Sequence, residues 1–127
     1  MFGSGDDLAS PKKSGTTLAI AIYVMSWILL LLAGLFEIAW AIGLKYTEGF
    51  TRLWPTIGTV VCLIISVVLL GLAAKSLPIG TAYAVWTGIG AAGTVLCGVI
   101  VLGDPASLTR LVCVGLILAG VIGLKMA

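Results

Sequence analysis

The sequence predicts an all-α membrane protein with four transmembrane helices per chain. Hydrophobic residues make up 61% of the chain and charged residues 9%, with a mean hydropathy of +1.24, where a soluble domain carries about 25% charged residues. The apolar residues fall into four stretches, roughly 27–44, 54–74, 81–102 and 109–126. Each approaches the about 20 helical residues needed to cross a hydrocarbon core about 30 Å thick. All four are apolar on every side, so inside lipid each must satisfy its own backbone as a helix. The period-two alternation of a β-barrel is absent.

Ahead of the first span, residues 1–24 form an extension, and residues 25–127 form the four-helix domain. The opening MFGSGDDLASPKKSG is polar and rich in Gly and Ser, and is expected to be disordered to residue 15. TTLAIAIYV (16–24) runs into the first span without a break. A signal-peptide core behind Lys12 and Lys13 would need a small-residue cleavage site, which does not follow. This stretch therefore reads as an extension of helix 1 out of the membrane or along its surface, or as a segment added upstream of a start at Met25.

Short connections carry most of the remaining charge: KYTEGFTR (45–52), KSLPIG (75–80) and GDPASL (103–108). In the last, Pro105 suits the end of helix 3, and either Asp104 or Ser107 can cap helix 4. Cys113, Gly120 and Gly123 on helix 4 are small residues spaced for close helix packing.

Charge placement bears on topology. Lys12, Lys13, Lys75 and Lys125 fall on one side of the membrane, and Lys45, Arg52 and Arg110 on the other. Four against three is too even for the positive-inside rule to choose a direction. A chain that inserts both ways can pair with an inverted copy of itself. Because four helices alone make a poor cavity, an antiparallel, dual-topology homodimer is expected.

Other classes are disfavoured. Cys62, Cys97 and Cys113 lie in spans without C-x-x-C spacing and read as packing residues, so no metal site or disulfide is expected. With no histidine there is no Ser-His-Asp triad. Neither a nucleophile–base pair nor a cofactor motif appears, so an enzyme is not expected. The net charge of +2 comes from loops and ends and makes no basic patch suited to nucleic acid.

The exceptional residue is Glu37, within AGLFEIAWAIGLK (33–45). An acidic group at mid-span costs several kcal/mol, about +2.5 to +3.5 on insertion scales for Asp, and is functional by default. In so apolar a setting it must be neutralised by a proton or by a cation, so the two can compete for one site. A bland alternative is a protonated carboxyl that merely hydrogen-bonds a neighbouring helix. Gly34 and Trp40, at i−3 and i+3, share its face. The indole can donate to the carboxylate or face a cation. Tyr83 and Trp86 likewise face together on helix 3, either as cavity lining or as interfacial anchors. GIGAAG follows them, its Gly88, Gly90 and Gly93 allowing close packing or a bend. Ser66 is a lone hydroxyl in VCLIISVVLL, where by itself it would bond its own helix.

Over residues 25–127 the chain resembles the small multidrug resistance family of four-helix transporters. The finer match is to its guanidinium exporter branch, through EIAWAIGLKYTEGF (37–50), KSLPIGTAYAVWTGIGAAG (75–93) and GLILAGVIGLK (115–125). The resemblance implies a multi-pass protein of the bacterial inner membrane. It further implies an antiparallel homodimer that exchanges protons for guanidinium-type cations at paired glutamates, without a cofactor. On this resemblance Glu37 is the shared proton and substrate site, Trp40 and Ser66 are its hydrogen-bond partners, and Tyr83 and Trp86 line the cavity, Tyr83 near the gate. Lys125 matches a lysine typical of the exporter branch, and a lysine snorkelling at a helix end accounts for it equally well. EGFTRLWPTIGTV (48–60) is closer to the drug-efflux branch, but lies away from the proposed site.

Chemistry favours the same substrate, because planar guanidinium presents paired N–H donors that match a carboxylate bidentately. A quaternary ammonium ion has none and relies on aromatic faces and apolar contact. Three functions stay open: guanidinium/proton antiport, proton-coupled efflux of broader hydrophobic cations, and a non-transporting scaffold or heterodimer subunit.

Overall fold

The computed structural model describes the backbone of residues 5–127 and the side chains of residues 15–127. Four helices follow one another: α1 Gly5–Tyr46, α2 Leu53–Ala74, α3 Ile79–Val101 and α4 Leu108–Met126. No strand occurs among the described residues. The spans long and apolar enough to cross a membrane are Gly15–Tyr46, Leu53–Ala74, Ile79–Val101 and Leu108–Met126, in agreement with the four sequence-derived stretches. The apolar stretch 16–24 is continuous helix with the first span and is exposed along its whole length. The expectation of disorder falls on a polar tail whose side chains lie outside the described residues.

Side-chain contacts give the helix directions. Ala33 meets Ser66 and Gly43 meets Thr59, so α2 descends as α1 ascends. Gly34 meets Ile89 and Gly93 meets Ile38, which makes α3 parallel to α1. Gly88 lies against Ile117 and Val121, while Val95 lines a cavity with Cys113, so α4 returns antiparallel to α3. α1 packs on both α2 and α3, whereas the backbone of α4 packs on α3 alone.

The interior is built mainly from small residues. Ala33, Ala73, Ala82 and Ala92 are buried with Gly88, Gly90 and Gly98, and the larger Trp27, Leu30 and Val85 fill one end. Burying large apolar side chains gains little when lipid is as apolar as the core, so close backbone approach and van der Waals packing hold the helices together. Most leucines, isoleucines and valines point outwards instead. Gly88, Gly90 and Gly93 pack against Val121, Glu37 and Ile38, and α3 runs through all three unbroken. Close packing, rather than a broken helix, is their use.

The connections are defined by local hydrogen bonds. After α1, Thr47 is buried; its hydroxyl donates to the Leu44 carbonyl (2.7 Å) and accepts from the Phe50 N–H (3.2 Å). This bracket closes a turn in which Glu48, Gly49 and Phe50 all have positive φ (48°, 71° and 66°). α3 stops at a left-handed Gly103 (φ 71°), where the N–H groups of Leu102 and Asp104 both donate to the Gly98 carbonyl at 3.0 Å. The last helical residue, Val101, is thus four residues before Pro105, which leaves the proline no terminating role. Of the two candidate caps for α4, Ser107 serves, accepting from the Arg110 N–H at 3.2 Å. Asp104 turns its carboxylate back towards Gly98.

Candidate functional site

Glu37 lies on the face of α1 turned towards α3. Its carboxyl occupies the space left by the absent side chain of Gly90, where a Cβ would collide with it. The residue is partly buried, and its Oε2 is shielded from solvent with no hydrogen-bond partner among the described residues. Trp40, one turn on, has a buried Nε1 that is equally unpartnered. The spacing therefore puts a carboxylate and an indole on one face as expected, but each is left free to bond something else. An unmet acceptor beside an unmet donor is costly in a low-dielectric interior.

Ser66 does not bond Glu37. Its hydroxyl is completely buried, donates to the Ala33 carbonyl (2.7 Å) and accepts from Trp86 Nε1 (2.9 Å). One side chain of α2 is thereby fastened to the backbone of α1 and to an indole of α3. The expectation that this hydroxyl would turn onto its own helix fails for the same reason: the carbonyl of α1 is within reach. Ala33 is four residues before Glu37, so its carbonyl is the helical acceptor for the Glu37 N–H as well. Ser66 thus holds the backbone turn that carries Glu37 rather than the carboxylate itself.

Tyr83 and Trp86 face together, their ring centroids 5.5 Å apart and the planes at 57°. Trp86 is partly buried through its bond to Ser66, and Tyr83 remains 56% exposed. Gly34 is buried beneath Ile89, so it sets the spacing of α1 from α3 and does not open a gap beside the carboxylate. Lys125 lies elsewhere: its Nζ sits 5.3 Å from the centre of the Trp27 ring. Trp27 is ten residues before Glu37 on α1, about 15 Å along the helix axis.

Two contributors escaped the sequence reading. Gly90 was legible only as a packing glycine, since nothing in its neighbours says which side chain it admits. The Ala33 carbonyl is a backbone group and leaves no mark in the sequence. Among the described residues no cluster of His, Cys, Asp and Glu could hold a metal ion.

The fold and this site define a class: a four-helix integral membrane protein with one carboxylate held within its first span. Residues 25–117 match the model of the family described as Small Multidrug Resistance protein. The guanidinium exporter of Yersinia pseudotuberculosis is 62% identical over 103 residues, covering 81% of this chain and 99% of the relative. Those of Citrobacter freundii and Salmonella typhimurium strain LT2 are 59% and 58% identical, covering 81% of this chain and 98% of each relative. The chain belongs to the small multidrug resistance family, and is a multi-pass protein of the bacterial inner membrane.

The hydrogen-bond chain through Ser66 can be tested by unfolding in detergent micelles. Ser66→Ala removes two bonds and strands Trp86 Nε1, and is expected to destabilise by about 1–2 kcal/mol. Trp86→Phe leaves the Ser66–Ala33 bond intact and is expected to lose about half as much from hydrogen bonding. An equal or larger loss for Trp86→Phe would mean that indole packing, not the hydroxyl, ties the helices.

Proposed function

We propose that the protein is a proton-coupled exporter of guanidinium and small guanidinyl cations, with Glu37 binding proton and substrate in turn. One observation carries this reading: a carboxylate in a membrane span, seated against Gly90, whose Oε2 is buried without a hydrogen-bond partner beside an unpartnered Trp40 indole. Such a carboxylate has two ways to become neutral, uptake of a proton or capture of a cation, and the two exclude each other. Binding of substrate from one side then expels a proton, and return of the proton from the other side expels the substrate. The name borne by relatives about 60% identical supports guanidinium as the cation. Its in-plane N–H groups supply the donors that Oε2 lacks.

Gly34, Trp40, Ser66, Tyr83 and Trp86 support this site. Gly34 and Gly90 set the distance between α1 and α3, Ser66 and Trp86 brace the backbone around Ala33, and the aromatic faces of Trp40 and Tyr83 are available to a planar cation. Lys125 stands apart from this group. Specificity follows from desolvation: a cation without donors leaves the carboxylate unpaired, which discriminates more strongly than apolar fit.

The functional unit in this reading is an antiparallel homodimer with two Glu37 residues facing one cavity. Near-even loop charge supports insertion in both directions. The state of α4 supports a second copy: only Val114 is buried, Cys113 is exposed, and a Cβ at Gly115, Gly120 or Gly123 would meet open space. A helix whose backbone packs on α3 alone, with small residues turned outwards, is suited to close contact with another helix. Broader drug efflux is the runner-up in the same fold. A scaffold has no use for Glu37.

Three outcomes test the proposal. Glu37→Gln should insert and dimerise yet reduce proton-driven guanidinium uptake into liposomes to background, since an amide neither releases a proton nor offsets a cation. Uptake at the wild-type rate would remove Glu37 from the mechanism. In competition assays on the same liposomes, guanidinium and its singly substituted forms should outcompete tetraethylammonium by at least about tenfold, as hydrogen-bond-based selection requires. The reverse order would replace this reading with multidrug efflux. Finally, cysteine-accessibility labelling of the loops should find both orientations, and two or three lysines added to one loop should bias insertion and cut transport until a copy biased the other way is co-expressed. Full activity from one orientation would rule out the antiparallel pair.

A further inference from the structure

From the Trp27 and Lys125 end of the bundle inwards to Ile89, α1, α3 and α4 enclose a groove of about 390 Å³. Its walls are apolar, with Leu31, Ile89 and Val121 along its length, and its only charged lining residue is Lys125. The Lys125 ammonium sits over the Trp27 ring at 5.3 Å from its centre. Trp27 is 8% exposed, and its Nε1 is buried without a hydrogen-bond partner among the described residues. Tyr23 stacks edge-on against the same indole, the centroids 6.1 Å apart, and is 47% exposed. An ammonium and two aromatic donor groups thus gather beside an apolar trough.

No acidic side chain described on the surrounding helices balances that charge. α3 and α4 contain no Asp or Glu, and the single acid on α1 between residues 15 and 46 is Glu37, ten residues beyond Trp27. Lys75 opens onto an adjoining groove between α1 and α2, lined also by Ser26, so a second ammonium borders this end of the bundle. The occupant has to offer an apolar body to the trough and a negative charge to its lysine end. A hydrocarbon chain is slender enough, and the negative charge that Lys125 lacks is one that a lipid phosphate carries.

We propose that this groove is a binding site for an anionic phospholipid, with an acyl chain along Leu31, Ile89 and Val121 and the phosphate against Lys125 and Tyr23. Basic pockets between transmembrane helices recognise anionic headgroups in this way. Tyr23 lies upstream of residues 25–117, the part of the chain that matches the family model, so one wall of the site belongs to the amino-terminal extension. Its headgroup end at Lys125 stands apart from Glu37, and the proposal does not rest on the transport reading.

Native mass spectrometry of the delipidated, detergent-solubilised protein, titrated with phosphatidylglycerol or phosphatidylethanolamine of identical acyl chains, tests this. The wild type should retain phosphatidylglycerol at least about fivefold more tightly, the factor expected for one lysine at a lipid surface. Lys125→Met should bring the two lipids within about twofold of each other, and Lys125→Arg should preserve the preference. Ile122→Trp, which fills the groove, should weaken both lipids alike. Equal affinity of the wild type for the two lipids would overturn the proposal, as would a preference that survives in Lys125→Met. So would displacement of phosphatidylglycerol by inorganic phosphate alone, which would leave an anion site without a tail. If Ile122→Trp instead shifts the monomer–dimer balance with lipid binding unchanged, the groove belongs to a second copy and the proposal fails.

Discussion

The arrangement depends on one hydroxyl. Ser66 is the point at which three helices are joined by something other than contact, its oxygen donating to the α1 backbone at Ala33 and accepting from the α3 indole of Trp86. In a bilayer no water competes for these groups, and an unmet partner has nowhere else to turn. A serine suits both halves of the task. It is small enough to let α1 and α2 approach closely, and it is donor and acceptor at once. The polar economy elsewhere is similarly local, with Ser26, Thr47, Thr51 and Thr56 bonding carbonyls three or four residues back. Ser66 alone among the described side-chain hydroxyls spans helices.

Against that background the unmet groups are informative. Glu37 and Trp40 are surrounded by helices that could in principle have supplied partners, as Ser66 supplies one for Trp86, yet Oε2 and Nε1 have none. A structural role for the carboxyl would be met by a hydrogen bond to a neighbouring helix. The contact it does make is with a glycine, which offers room and nothing more. Space without a partner is what the proposed binding role of Glu37 requires.

Much of the fold was legible because it follows from hydropathy. Three of the four apolar stretches agree with the observed helices to within about two residues, the accuracy with which such boundaries are defined at all. The first helix departs further, since TTLAIAIYV gives no signal for a helix to begin at residue 27 and the backbone simply continues. The turn at Glu48–Phe50 was not legible: two of its three left-handed residues are not glycine, and what holds them there is the buried Thr47, whose role appears only when Leu44 and Phe50 are seen around it. At the site, helical spacing placed Trp40 on the face of Glu37 and Tyr83 beside Trp86. It could not say which polar group would pair with which, because that depends on the rotation of each helix against its neighbours. Ser66 was therefore assigned to the wrong partner, and Lys125 was grouped with residues about three helical turns away.

The unequal lengths of the spans have a mechanical consequence. Gly15–Tyr46 has 32 residues where α2, α3 and α4 offer 22, 23 and 19, so this part of α1 alone is about 48 Å long against hydrocarbon about 30 Å thick. Residues 15–21 continue α1 beyond the groove-lining Ile22, Tyr23 and Val24 as unbroken helix with every residue exposed. The direction of that exposed stretch is set by the residues of α1 that do pack, Ser26, Trp27, Leu30 and Ala33. A tilt of α1 about its buried residues Ser26, Trp27, Leu30 and Ala33 would be magnified along the exposed helix ahead of them.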